Sequence, residues 1–299
     1  MTDTQLQQPP RLGQVIREQF KATALVLRAP AIAAGGLALF ATFLAFADFF
    51  RGRASVEFSP ELSMIPAIAG GLIPIAVWFG EQRFGPGFFW TLPVDRVQHS
   101  LAKVLAGWLW LMIAVIGFVL WLLTLALITK GQIAGDELIH LLPTSTVPPP
   151  RTLDPSMLRT INWVPQPVFW LAPFFAGTGL YAISSALMLG LRHPFKWAIG
   201  VVAGAFAVAA VSHGVGGDAL ATKVGHVFEI LMFGRYGLDG LLSARTESLH
   251  TVITLLNGES ATVWRGLPVI SEWLAATLLW TGIGFAGLAA ALMRHRERR

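Results

Sequence analysis

Residues 104–128 read VLAGWLWLMIAVIGFVLWLLTLALI, 25 residues without one charged side chain. The hydrocarbon core of a bilayer, about 30 Å thick, is crossed by roughly 20 apolar residues in helix. Leu101–Thr129 therefore reads as a membrane-spanning helix, and the rest of the chain is interpreted outward from it. Five further segments qualify: 31–50, 62–79, 168–191, 194–212 and 268–293. Pro66, Pro74 and Pro173 fall inside these segments. Proline is tolerated in spans where neighbouring helices satisfy the freed backbone groups.

Composition agrees. The chain has 299 residues, 54% hydrophobic and 13% charged, against about 45–50% and about 25% for soluble domains. Tryptophan and phenylalanine (11 and 20) far outnumber tyrosine (2), which suits interfacial anchoring. No cysteine is present, so disulfides, thiolate metal sites and cysteine nucleophiles are excluded. The formal charge of +5 is spread along the flanks of the spans, which favours contact with lipid headgroups over nucleic acid. The opening MTDTQLQQPP lacks the basic-then-apolar order of a cleaved signal peptide.

Lysine and arginine set the orientation. With the N-terminus cytoplasmic, the inside segments hold Arg11, Arg17, Lys21, Arg28, Arg83, Arg96, Lys103, Arg192, Lys196, Arg294, Arg296, Arg298 and Arg299, thirteen of the 22 bases. Both termini are expected in the cytoplasm of a multi-pass plasma-membrane protein. Residues 11–29 place Leu12, Val15, Ile16, Phe20, Ala24 and Leu27 at helical spacing, with Arg17, Lys21 and Arg28 together on another face. That pattern predicts an amphipathic helix lying in the headgroup plane. Residues 130–167, with LLPTSTVPPPRTLDP, read as an extended extracytoplasmic loop. Residues 213–267 hold apolar stretches too short to span, HVFEILMFGRYGLDGLLSA and SLHTVITLLNG, which predict an extracytoplasmic helical hairpin between spans five and six. The expected fold is all-α: one polytopic domain over 1–299 with six transmembrane helices.

Catalytic patterns are scarce. TGIGFAG places Gly282, Gly284 and Gly287 in a G-x-G-x-x-G order, but inside a span, where small residues serve close helix approach rather than a dinucleotide. No G-x-x-x-x-G-K-[ST] phosphate loop exists, so this chain is not expected to hydrolyse ATP. Glu137 and His140 form one E-x-x-H without the second such pair that a metal site would need. Asp48 and Glu272 lie toward the outer ends of their spans, within reach of water, and Ser184 and Ser185 suit hydrogen bonds to a neighbouring helix. No catalytic, cofactor or metal residue is assigned.

The gap between spans two and three is denser in chemistry: EQRFGPGFFWTLPVDR, residues 81–96. Pro86 suits the first position of a short helix and Pro93 ends it, while Asp95 and Gln98 start the next as a capping-box-like pair. Phe88, Phe89, Trp90 and Leu92 then project from little more than one turn at the cytoplasmic surface. They fit an interfacial aromatic belt as well as a peg for a cytosolic partner. The pattern Glu81, Arg83, Gly85, then Leu92, Pro93, Val94, Asp95, Arg96, then Ala102 and Lys103, resembles the first cytoplasmic loop of type-2 ATP-binding-cassette (ABC) transporter permeases. The organisation of spans, leading interfacial helix and apolar hairpin resembles that family over nearly the whole chain. Where the family often carries a small threonine-containing stretch, this sequence has Pro86-Gly87-Phe88-Phe89.

The resemblance implies that residues 81–100 form a coupling loop, with Gly85 to Leu92 as the helix that docks on an ATPase subunit. Glu81, Arg83, Gly85, Phe88, Trp90, Leu92, Pro93, Asp95 and Arg96 would be the docking residues. It further implies two cytosolic ABC ATPase subunits that bind the ATP and Mg²⁺, a second permease copy or related permease chain, and export rather than import. The alternative function is a non-transport scaffold or anchor within a membrane complex.

Overall fold

The computed structural model describes residues 12–52, 60–79, 96–131, 137–142, 152–191, 193–197, 199–200, 203–204, 218–256, 258 and 260–297. The protein is mostly helical, and its apolar segments form the helices. α1 runs Leu12–Phe50, α2 Met64–Phe79 behind a 3₁₀ turn at Pro60–Ser63, and α3 Arg96–Ile128. α4 runs Ala172–Gly190 behind a 3₁₀ turn at Pro167–Leu171. α5 (Asp218–Phe233), α6 (Leu238–Leu242) and α7 (Thr246–Leu249) precede the last helix, α8 (Ile270–Glu297). Among the described residues, four helices are long and apolar enough to cross a membrane: α1, α3, α4 with its leading turn, and α8. The apolar part of α2 is shorter.

Small residues set how closely these helices approach. Lipid offers no hydrophobic drive for helix association, so backbone proximity and interhelical hydrogen bonds carry it. A side chain at Gly70 of α2 would collide with the Gly177 carbonyl of α4. Beside that contact, Ser184 Oγ donates to the Gly71 carbonyl at 2.7 Å. Between α3 and α4, Tyr181 Oη donates to the Val104 carbonyl (2.7 Å) and Trp108 Nε1 to Thr178 Oγ1 (3.2 Å). Between α4 and α8, Gly284 faces Ala182, Gly287 faces Ala186 and Gly190 faces Ala291.

These pairings fix directions. Residue numbers rise together in α2 and α4 and again in α4 and α8, so each pair is parallel; α3 runs against α4. α1 follows α3 through Trp110 Nε1 to the Phe20 carbonyl (3.0 Å) and Trp121 Nε1 to Thr42 Oγ1 (3.0 Å). The second contact comes 22 residues later along α1 but only 11 later along α3, so α1 is inclined to α3. The bundle thus has two ends. At one lie the start of α1, the α2–α3 connection and the ends of α4 and α8. At the other, the end of α3 and the starts of α4 and α8 meet a sheet.

That sheet is mixed, in the order β2-β4-β5-β1-β3. β1 (Glu137–Leu141), β2 (Thr152–Leu153) and β3 (Arg159–Trp163) come from one insertion, and β4 (His250–Leu255) and β5 (Ser260–Trp264) from another. β1 pairs antiparallel with β3 and parallel with β5; β2 pairs parallel with β4, and β4 antiparallel with β5. Leu142, Ile253 and Val263 form its buried core. Trp163, Trp264 and His250 cluster, with ring centroids 5.5 Å apart for the two indoles and 4.2 Å for His250 on Trp264.

Four expectations change here. The all-α reading gives way to a helical bundle with a five-stranded sheet, because the two insertions, expected as separate units, complete one sheet together. The 130–167 segment is not simply an extended loop: ELIHL and RTINW pair with each other, and His140 Nδ1 lies 3.2 Å from Thr160 Oγ1. In 213–267 the stretch HTVITL, expected in a helical hairpin, is strand β4, as its threonine and β-branched content favours. The proposed interfacial segment and first span are parts of one continuous helix containing Pro30. Most of the expected fifth span, 194–212, lies outside the described residues; 194–197, 199–200 and 203–204 are helical.

Candidate functional site

Two places on the bundle concentrate side-chain chemistry. The first is the root of the α2–α3 connection. Glu81, Arg83, Gly85, Phe88, Trp90, Leu92, Pro93 and Asp95 lie outside the described residues. Arg96 is the first residue of α3. What the structure does position is the clamp beneath them. Lys103 Nζ sits 4.8 Å from the centroid of the Trp78 ring, joining the last turn of α2 to the second turn of α3. Both side chains are buried, and Val77, Trp78 and Val104 belong to the main core. A desolvated ammonium over an indole is worth about 2 kcal/mol. Gln19 Nε2 lies 3.4 Å from His99 Nδ1, which brings α1 to the same place.

The second place is at the sheet end. Gly234, Arg235, Tyr236 and Gly237 turn the chain from α5 into α6, and the turn is fastened to α8 twice. Arg235 Nε lies 2.8 Å from Glu272 Oε1, and Trp280 Nε1 donates to the Tyr236 carbonyl at 3.0 Å. Trp280 stands about two turns further along α8 than Glu272, so the turn lies alongside the helix rather than above it. α6 then wedges between α4 and α8. A Cβ on Gly240 would come within 2.6 Å of that of Ala276, and one on Gly179 within 2.8 Å of Leu241. Ser63 Oγ donates to the Leu242 carbonyl, which ties in the start of α2.

Charges close this wedge. Arg245, just past α6, pairs with the other carboxylate oxygen of Glu272. One carboxylate, in the first turn of α8 where the helix dipole favours it, thus holds two arginines. Asp239 is 5% exposed and accepts a hydrogen bond from Ser243 Oγ. Burial pulls the Arg245 guanidinium below its ordinary range and the neighbouring Arg235 adds to this, while Asp239 works in the opposite direction. The signs alternate along Asp239, Arg245, Glu272 and Arg235, and the set is neutral. Trp273, the next residue of α8, packs edge-on against Phe169 and Phe175.

On sequence grounds Glu272 has only a place near the water-exposed end of its span, and Arg235, Asp239 and Arg245 have no role. The available signal was two arginines flanking the short apolar run LDGLL, followed by an acid at the head of the next apolar helix. Among the described residues no group of three or more histidines and acids could hold a metal ion. Compared with known protein families, characterised proteins and solved structures, the chain matches none.

Proposed function

We propose that this chain is the membrane-spanning subunit of an ATP-driven transporter, an exporter, coupled through residues 81–100 to separate ATPase subunits. The supporting observation is polarity. The segments carrying the thirteen bases expected inside, as far as they are described, gather at one end of the bundle, and the sheet occupies the other. The α2–α3 connection leaves from the basic end. Because α4 and α8 are parallel, the chain must return along the bundle between 191 and the start of α8. We assign that return to 194–212, the expected fifth span, which gives the proposed six spans with both termini on the cytoplasmic side.

On this reading Trp78 and Lys103 brace the root of the docking loop, so force applied there reaches the α2–α3–α4 core. ATP and Mg²⁺ belong to two partner ATPases, and a second permease chain completes the path. Detergent extraction of the tagged chain from its own membranes tests the assignment. A nucleotide-hydrolysing subunit should accompany the wild type and be lost from Trp90→Ala and Arg96→Glu. A scaffold would retain its partners and show no hydrolysis linked to this loop.

A further inference from the structure

We infer that α6 is a plug seated between α4 and α8 at the sheet end, and that Glu272 is the lock holding both of its ends. This rests on the geometry of the hairpin and does not require the transport reading. Arg235 lies three residues before the plug and Arg245 three residues after it, and both pair with the one carboxylate. Loss of either arginine removes one of the two ion pairs; loss of Glu272 removes both.

Three features show that the seat is held rather than inert. Leu241 at the plug's centre is 0% exposed and fills the space over Gly179, so departure of α6 would uncover the α4–α8 cleft. The exit from the plug runs through Ala244 (φ 54°) and Arg245 (φ 71°), two consecutive non-glycine residues in the left-handed region. Such backbone persists only where its surroundings impose it, and here the Ser243 and Arg245 N–H groups both donate to the Asp239 carbonyl, beside the Arg245–Glu272 pair. Along α5 the approach is exposed at Val227, Phe228, Ile230 and Leu231, upstream of the turn fastened to α8. Retention of α6 therefore falls on its own packing, on the hydrogen bonds of Trp280 to the Tyr236 carbonyl and of Ser63 to the Leu242 carbonyl, and on the two ion pairs. The side chains of Arg245 and Glu272 are 22% and 17% exposed, against 65% for Arg235. The inner pair should dominate, since a partly desolvated charge that loses its partner costs far more than an exposed one.

The absence of native cysteine makes the test direct. Leu241→Cys in the full chain, reconstituted in nanodiscs open on both faces, is exposed to a membrane-impermeant maleimide. Labelling should be slow, and faster by about tenfold or more when Glu272→Gln is added, the scale set by local opening after a buried charge pair is broken. Arg245→Gln should approach that rate and Arg235→Gln should fall well short of it. Val115→Cys, buried in α3 away from the plug, should label no faster in any of these backgrounds. Rapid labelling of Leu241→Cys alone would overturn the plug, and an unchanged rate in Glu272→Gln would overturn the lock. A parallel rise at Val115→Cys would mean general loosening and would overturn both.

Discussion

At Gly70 one hydrogen atom decides whether α2 can touch α4. A methyl there would meet the Gly177 carbonyl, whereas a methyl at Gly71, one residue on, meets nothing within 4 Å. Gly70→Ala should cost about 1–3 kcal/mol by forcing the helices apart. Gly71→Ala should be neutral or slightly stabilising, because alanine favours helix by up to about 1 kcal/mol. Thermal unfolding in one detergent would separate them, and equal loss in both would contradict the contact. Residues of this kind were legible in part. The sequence marked the glycines of TGIGFAG for close packing, and Gly284 and Gly287 do face α4. Nothing in it paired Gly70 with Gly177, because glycine carries no side chain to announce a neighbour. Glu272 was visible as an acid at the head of a span, but its arginine partners lie 37 and 27 residues earlier, across the sheet hairpin.

At the scale of elements, apolar length found the long helices, since a bilayer imposes one length on every crossing. It did not find the strands. β1 and β5 come from segments more than a hundred residues apart and neither is longer than five residues. A short strand of this kind has no local signature strong enough to exclude a loop. The parallel registry of α4 and α8 is the element-scale feature on which the proposed six-crossing topology depends, and the cysteine-free chain permits a clean check. A Cβ at Gly190 would lie 3.3 Å from that of Ala291, and one at Gly287 the same distance from Ala186, near the usual disulfide separation of about 3.8 Å. Gly190→Cys/Ala291→Cys and Ala186→Cys/Gly287→Cys should therefore each form an intramolecular disulfide under mild oxidation, whereas the offset pair Ala186→Cys/Ala291→Cys should not. A disulfide in the offset pair alone would reverse the registry. The link of α1 to α3 is slighter. Trp121→Phe removes the indole hydrogen bond to Thr42, at a cost of about 1 kcal/mol, and should raise hydrogen exchange in the second half of α1 while leaving α4 and α8 unchanged.

For the whole molecule, the bundle joins a basic end to a sheet end. The α2–α3 loop leaves from the first, and the plug and its lock sit at the second. The α4 helix links them, touching α2 and α3 along Gly177–Ser184 and both α6 and α8 at Gly179. Movement imposed at the Trp78–Lys103 root therefore has a packed route to the α4–α8 cleft. We propose that an ATPase supplies that movement through the loop. That coupling is tested most directly by assaying MgATP hydrolysis in the complex purified on this chain from its own membranes, for the wild type and for Trp90→Ala and Arg96→Glu. The account predicts a phosphate-loop subunit and hydrolysis with the wild type, and loss of both in the two variants. Hydrolysis and subunit content unchanged in both variants, or a wild-type chain that brings no such subunit with it, would contradict it.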